Sequence, residues 1–360
     1  MRKSTSPSKA RKGLAVAAVP TAIAVGLALL PNATAQSSVG DLSSAIGGDS
    51  SLSDHFAPKE PPARTPLNTE YPDVKGLPEG VKINRVEYLT NRHLMVYIKS
   101  AAMPDKEQKV QIQLARDWYS HPEKKFPEVW ALDGLRARDD ESGWTIETNI
   151  LNQYADRNVN LVMPVGGESS FYSDWEQADR GKRYMWETFL TKELIPILDN
   201  EYRSNHKRAV TGLSMGGTAA INLAALHPNQ FRQVLSYSGY LTTTIPGGQT
   251  ALRAALLDGG LYNLNAMWGS IFNPRRYEND PFLNMGNLRG KDVYVSSGSA
   301  VPGPADDKYL PEHRASGIAL ESIANFTTHL WSAKATVTGV QHTAVFTPTG
   351  LHNWDQFGSQ

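Results

Sequence analysis

Polar and apolar residues alternate along Lys82 to Tyr88, Leu94 to Ile98 and Lys109 to Leu114, the period of two shown by half-exposed strands. Further along, Glu128 to Leu132, Val159 to Pro164, Ala209 to Gly212, Gln233 to Tyr237, Asp292 to Ser297 and Ala335 to Val340 read as further short strands. Several of these are apolar throughout, and helical segments separate them. Continuous apolar runs mark strands covered on both faces, as parallel strands are. The pattern predicts an α/β chain with a mainly parallel central sheet, an antiparallel start and helices on both faces.

Two stretches before this domain read differently. Arg2, Lys3, Lys9, Arg11 and Lys12 precede an apolar run from Gly13 to Leu30, and Ala33-Thr34-Ala35 follows. Basic, apolar and small residues in that order predict a signal peptide over 1–35, cleaved after Ala35. A membrane anchor is the competing reading, but the run reaches about 18 residues only by including Pro20. From Gln36 to about Gly80, Ser, Gly, Asp and Pro dominate with little apolar periodicity, which predicts a linker or arm over 36–80. Residues 81–360 then form one catalytic domain, because no second linker interrupts them.

Charge and cysteine content narrow the function. The chain has 36 basic and 36 acidic residues. Removing the five basic residues of the leader leaves the exported protein at −5, with no Lys/Arg-rich block, which argues against a nucleic-acid partner. There is no cysteine, so a thiol nucleophile, a cysteine metal site and disulfide stapling are all excluded.

Gly212-Leu213-Ser214-Met215-Gly216 fits G-x-S-x-G, with the β-rich Arg208 to Thr211 before it and a helix-forming run from Thr218 to Leu226 after it. That context is the one a nucleophile elbow needs, since the strained strand-to-helix turn leaves no room for side chains at its flanks. A serine hydroxyl becomes a useful nucleophile only when a histidine takes its proton and an acid orients that histidine. His313, His329, His342 and His352 lie well downstream. His352, in the turn-rich Thr349 to Trp354, is the favoured base, whereas His342 borders a strand and reads as structural. Spacing alone favours Asp306 or Asp307 as the acid, in the loop after a strand, and leaves Glu321 as a solvated helix residue. The backbone N–H of Met215 and that of Leu135, in the turn after the Glu128 to Leu132 strand, are the expected oxyanion donors.

Seven segments in one order carry a resemblance: Leu132-Asp133-Gly134-Leu135-Arg136-Ala137, Pro164 to Gly167 running on to Ser169 through Trp175, Trp186 to Leu190, Gly212 to Met215, Met267-Trp268-Gly269, Asn279-Asp280-Pro281 and His352-Asn353-Trp354. From about Val86 onward the chain resembles the mycoloyltransferases of mycolate-bearing actinobacteria, which include the antigen 85 proteins and the corynomycoloyltransferases. The resemblance implies an α/β-hydrolase fold and moves the acid to Glu321, within Ala319 to Ile323 and 31 residues before His352. It also implies that Asp133, Arg136 and Trp354 line a sugar site, and that acyl chains leave beneath Leu252 to Met267. Gly216-Gly217 after Ser214-Met215, together with the absent cysteines, points to the corynebacterial branch.

The implied enzyme needs no cofactor. It is an exported cell-envelope monomer that carries a mycoloyl group on Ser214 from trehalose monomycolate to trehalose monomycolate, arabinogalactan or a protein serine. The rivals are a secreted carboxylesterase or lipase, and a noncatalytic wall-binding protein on a hydrolase scaffold.

Overall fold

The computed structural model describes residues 67–360. The leader and the first part of the arm lie outside the described residues. The chain opens with β1 (Leu67–Glu70), β2 (Lys82–Tyr88), β3 (His93–Lys99) and β4 (Gln108–Gln113), each antiparallel to the one before. β5 (Phe126–Leu132), β6 (Asn160–Val165), β7 (Ser204–Leu213), β8 (Gln233–Tyr237), β9 (Asp292–Ser297) and β10 (Thr343–Phe346) follow. All lie in one sheet ordered β1-β2-β3-β4-β6-β5-β7-β8-β9-β10. β4 pairs antiparallel with β6, and every later neighbour is parallel. The expected antiparallel start and parallel remainder are both present.

The sheet begins earlier than the composition suggests. β1 lies inside the stretch read as an arm, and behind it Tyr71 places its hydroxyl on the Glu201 carboxylate. Val74 and Leu77 pack on the main core. A Pro- and Gly-rich composition hid this strap, because it is held by a few anchoring side chains and not by periodicity.

The helices that matter for the site are α1 (Gly143–Glu147), α2 (Ile195–Glu201), α3 (Met215–Leu226), α4 (Gly248–Gly260), α5 (Pro311–Val337) and α6 (Trp354–Ser359). α3 is buried from Met215 to Ala225, as expected for a helix sandwiched against the sheet.

The expectation of a strand over Ala335 to Val340 is corrected. Thr336, Val337 and Thr338 are β-branched and look strand-like locally. The burial pattern overrides them: Gly317, Glu321, Ala324, Thr327, Thr328, Trp331 and Ala335 recur at helical spacing and form the buried face of α5. Trp331 is fully buried, and its Nε1 donates to the Pro281 carbonyl at 3.1 Å. The helix ends where Gly339 takes a φ of +74°, and the strand falls instead on Thr343–Phe346.

β5 has β6 on one side and β7 on the other, so the connections leaving its carboxyl end and that of β7 diverge. In open α/β sheets this switch point is where a crevice forms.

Removing the Trp331 side chain should cost about 3–5 kcal/mol. Val337→Asp, at a position 82% exposed, should stay within about 0.5 kcal/mol. Equilibrium urea unfolding of both variants checks this, and equal losses would contradict the helical register of α5.

Candidate active site

Ser214 sits between β7 and α3 with φ 52° and ψ −120°, a strained conformation for a residue with a Cβ. The turn is enforced by crowding: a Cβ on Gly212 would lie 2.2 Å from the Gly216 carbonyl oxygen, and one on Gly216 would lie 2.5 Å from that of Leu132. The Ser214 N–H donates to the Tyr237 carbonyl at 2.8 Å, which ties the elbow to β8.

His352 Nε2 lies 2.8 Å from Ser214 Oγ, and its Nδ1 lies 2.7 Å from Glu321 Oε2. With Nδ1–H donating a hydrogen bond to the carboxylate, Nε2 is left as the acceptor for the serine proton. Glu321 Oε1 accepts from the Gly298 N–H at 2.5 Å and from the Ser238 hydroxyl at 2.7 Å. The Glu321 side chain is fully buried. The Tyr240 ring stacks beside the imidazole at 6.1 Å, and the Phe357 ring meets it edge-on at 5.0 Å. Burial and the neighbouring Glu321 carboxylate push the Tyr240 hydroxyl up from its ordinary range, so it stays neutral next to the pair.

The two loop aspartates lie elsewhere. Asp307 is exposed, 3.5 Å from Arg314, and Asp306 is buried with its carboxylate on Asn353 and on the Gly303 N–H.

The turn expected to supply the second oxyanion donor abuts the elbow. A Cβ on Gly134 would meet Leu213 Cδ1 at 2.9 Å and Ser214 Cβ at 3.8 Å. Met215 opens α3, so its N–H has no intrahelical acceptor. The Leu135 carbonyl accepts from the Ser169 N–H at 2.8 Å, which fixes the turn from outside.

The three residues expected to line a sugar site each have partners of their own. Asp133 is buried, with its carboxylate accepting from the Gly143 N–H at 3.0 Å and the Ser142 hydroxyl at 3.3 Å at the start of α1. Arg136 donates to the Gly259 carbonyl at 3.0 Å and to that of Asp258, clamping the end of α4. Trp354 is half-buried at the start of α6, its ring edge-on to Trp144 at 6.0 Å. Sequence reasoning missed Ser238, Gly298 and Tyr240 around the Glu321–His352 pair. Their signal was weak, since each follows a strand as an ordinary loop residue. Gly317, a glycine inside a long helix, was the readable one: its carbonyl accepts the His352 N–H at 3.2 Å, and a Cβ on it would stand 3.2 Å from that of Leu351.

A sequence profile described as putative esterase matches residues 100–360. The diacylglycerol acyltransferase/mycolyltransferase Ag85A of Mycobacterium tuberculosis is 39% identical over 243 residues, which are 65% of this chain and 70% of that protein. Ag85C of Mycobacterium avium is 35% identical over 64% of this chain and 67% of its own. The chain belongs to the esterase family that includes the Ag85 mycolyltransferases. Among solved structures, Mycobacterium tuberculosis MPT51 (FbpC1) matches 72% of this chain and 91% of its own with a TM-score of 0.62 at 26% identity. The serine hydrolase FphF of Staphylococcus aureus, at 13% identity and a TM-score of 0.55, shares the fold. This member of the family is therefore an α/β-hydrolase-fold enzyme of acyl transfer or ester hydrolysis. No helix among the described residues is long and apolar enough to cross a membrane.

Burial pushes the Asp133 carboxyl up to about 7, partly offset by the donors of Ser142 and Gly143. The folded value thus lies above the ordinary 3.8, so the native state keeps a proton that the unfolded chain loses in this window. Stability contributed by Asp133 should fall as pH rises from about 4 to about 7 and level off above that. In urea unfolding across this range, the wild type should lose stability relative to Asp133→Asn. A difference independent of pH would mean that the carboxylate stays ionised in the fold.

Proposed function

We propose that this enzyme transfers a mycoloyl group from trehalose monomycolate, through an acyl-enzyme on Ser214, to a hydroxyl acceptor in the cell envelope. The observation that carries the reading is the continuous contact from Ser214 Oγ through His352 to the buried Glu321 carboxylate, set on a strained elbow. The relatives' printed name, diacylglycerol acyltransferase/mycolyltransferase, supports the acyl group and a hydroxyl acceptor.

In this reading His352 takes the Ser214 proton as Oγ attacks the ester carbonyl. The tetrahedral oxyanion rests on the Leu135 and Met215 N–H groups, and Glu321 holds the imidazole in the tautomer that leaves Nε2 free. Collapse breaks the ester C–O bond, and His352 returns its proton to the departing trehalose oxygen. A second hydroxyl then enters, from trehalose monomycolate, arabinogalactan or a protein serine. His352 takes its proton as the acceptor oxygen bonds to the acyl carbon, the acyl–Ser214 bond breaks, and His352 returns the proton to Ser214 Oγ. Transfer beats hydrolysis only where the acceptor hydroxyl is held better than water. Trp354, half-buried at the start of α6, is proposed to face the sugar, and Arg136, whose guanidinium is held by the end of α4, is proposed to shape the site through that clamp. Asp133, committed to the start of α1, acts on the sugar site through the turn it anchors.

Plain ester hydrolysis is the competing reading, and the description of the matching family favours it. Mass spectrometry of products from trehalose monomycolate, with and without each acceptor, separates the two: trehalose dimycolate or an acylated acceptor supports transfer, and free mycolate alone sinks it. A fluorophosphonate should label the wild type and not Ser214→Ala. Glu321→Gln should lower kcat about 10³–10⁴-fold, because an amide cannot accept from Gly298, Ser238 and His352 at once. If Glu321→Gln kept full turnover while Asp306→Asn lost it, the acid would be misassigned.

A further inference from the structure

The loop after β9 offers the acid position that spacing first favours, yet Glu321 occupies that role from α5. Asp306 in that loop is nonetheless buried, with 3% of its surface exposed, and both of its carboxylate oxygens are engaged. Oδ1 accepts from Asn353 Nδ2 at 2.7 Å, and Oδ2 accepts from the Gly303 N–H at 2.7 Å. Asn353 is the residue after His352 and is itself buried. Its Oδ1 accepts from the Gln356 N–H at 3.0 Å and caps α6.

The two loops are joined elsewhere by backbone pairs. The Ala300 N–H donates to the Gly350 carbonyl at 3.1 Å, and the Gly350 N–H donates to the Val301 carbonyl at 2.8 Å. Those bonds fix the chain two residues before the histidine. Asp306–Asn353 is a side-chain bond that fixes it directly after, and it is charge-assisted, in a buried setting where such bonds are stronger than neutral ones.

We propose that Asp306 is a positioning residue, which acts through Asn353 to hold the His352 imidazole in line between Ser214 and Glu321. The inference rests on His352 being the base. Asp306 touches neither substrate nor the reacting atoms. It sets how much of the time Nε2 stands within reach of the serine hydroxyl, so it governs kcat and not KM.

The polarity of the pair allows a decisive exchange. In Asp306→Asn, an amide that accepts from Gly303 turns its NH₂ group against the NH₂ of Asn353, donor against donor. In the double variant Asp306→Asn/Asn353→Asp, every bond can be remade with the roles reversed. The new amide accepts from Gly303 and donates to the new carboxylate, whose other oxygen still caps α6. Asp306→Asn should lower kcat, and the rate of fluorophosphonate labelling of Ser214, about 10–100-fold with KM within about 2-fold, in line with a misplaced catalytic group. The exchanged pair should return both rates to within about 3-fold of wild type.

If Asp306→Asn does not fold, the exchanged pair alone decides: folded and active supports the role, folded and as slow as a broken pair overturns it. Wild-type rates in a folded Asp306→Asn would overturn it as well. Loss of labelling in His352→Ala, measured alongside, tests the base assignment separately. A failure of that assignment is therefore not confused with a failure of this one.

Discussion

A carboxylate sealed from water must have its oxygens satisfied by the protein, and Glu321 is satisfied by three segments that are far apart in the chain. Ser238 comes from the end of β8, Gly298 from the end of β9 and His352 from the turn before α6. Losing any donor would leave a buried charge short of a partner, a penalty of about 1–3 kcal/mol or more. The carboxylate thus joins the imidazole and pins the loops at the carboxyl edge of the parallel strands to one face of α5. The placement of α5 follows from this. Trp331 and Ala335 anchor its far end in the core, while Gly317 lets the His352 turn approach its near end.

The same economy governs the elbow. Gly212 and Gly216 have room for no side chain, so β5, β7 and α3 come together at backbone contact and Ser214 is left in its strained conformation. Crowding of this kind stores strain only because the surrounding sheet cannot give way. Ser214 is held in one position because its neighbours are rigid.

Local pattern carried much of this but not all. G-x-S-x-G placed Ser214 because the elbow is a local steric solution, complete within a few residues. The strands from Lys82 to Ser297 were legible from period and apolar runs, since burial on one or both faces writes itself into adjacent positions. The Glu321–His352 contact was not legible from spacing, because it depends on which face of a long helix meets two distant loops. It emerged from the resemblance to a family. Ala335 to Val340 misled for the opposite reason: its β-branched residues speak of local preference, while α5 is held by residues three and four apart across 27 positions. Asp133 and Arg136 show a further limit. A motif marks where they are, yet the carboxylate is taken up by Ser142 and Gly143 and the guanidinium by the end of α4.

That last placement ties the Leu135 turn to α4. Arg136 donates to carbonyls at the end of α4, where the helix leaves its last carbonyls unsatisfied and its dipole favours a cation. Leu135, one residue earlier, is bonded to Ser169, and a Cβ on Gly259 would overlap the Ser169 hydroxyl at 2.0 Å. The end of α4, the Ser169 turn and the Leu135 turn therefore form one packed stack. A residue larger than glycine at 259 would push along that stack toward the Leu135 N–H. The geometry around Ser214 is consequently set from two sides: from α5 through Glu321 and His352, and from α4 through Arg136 and Leu135.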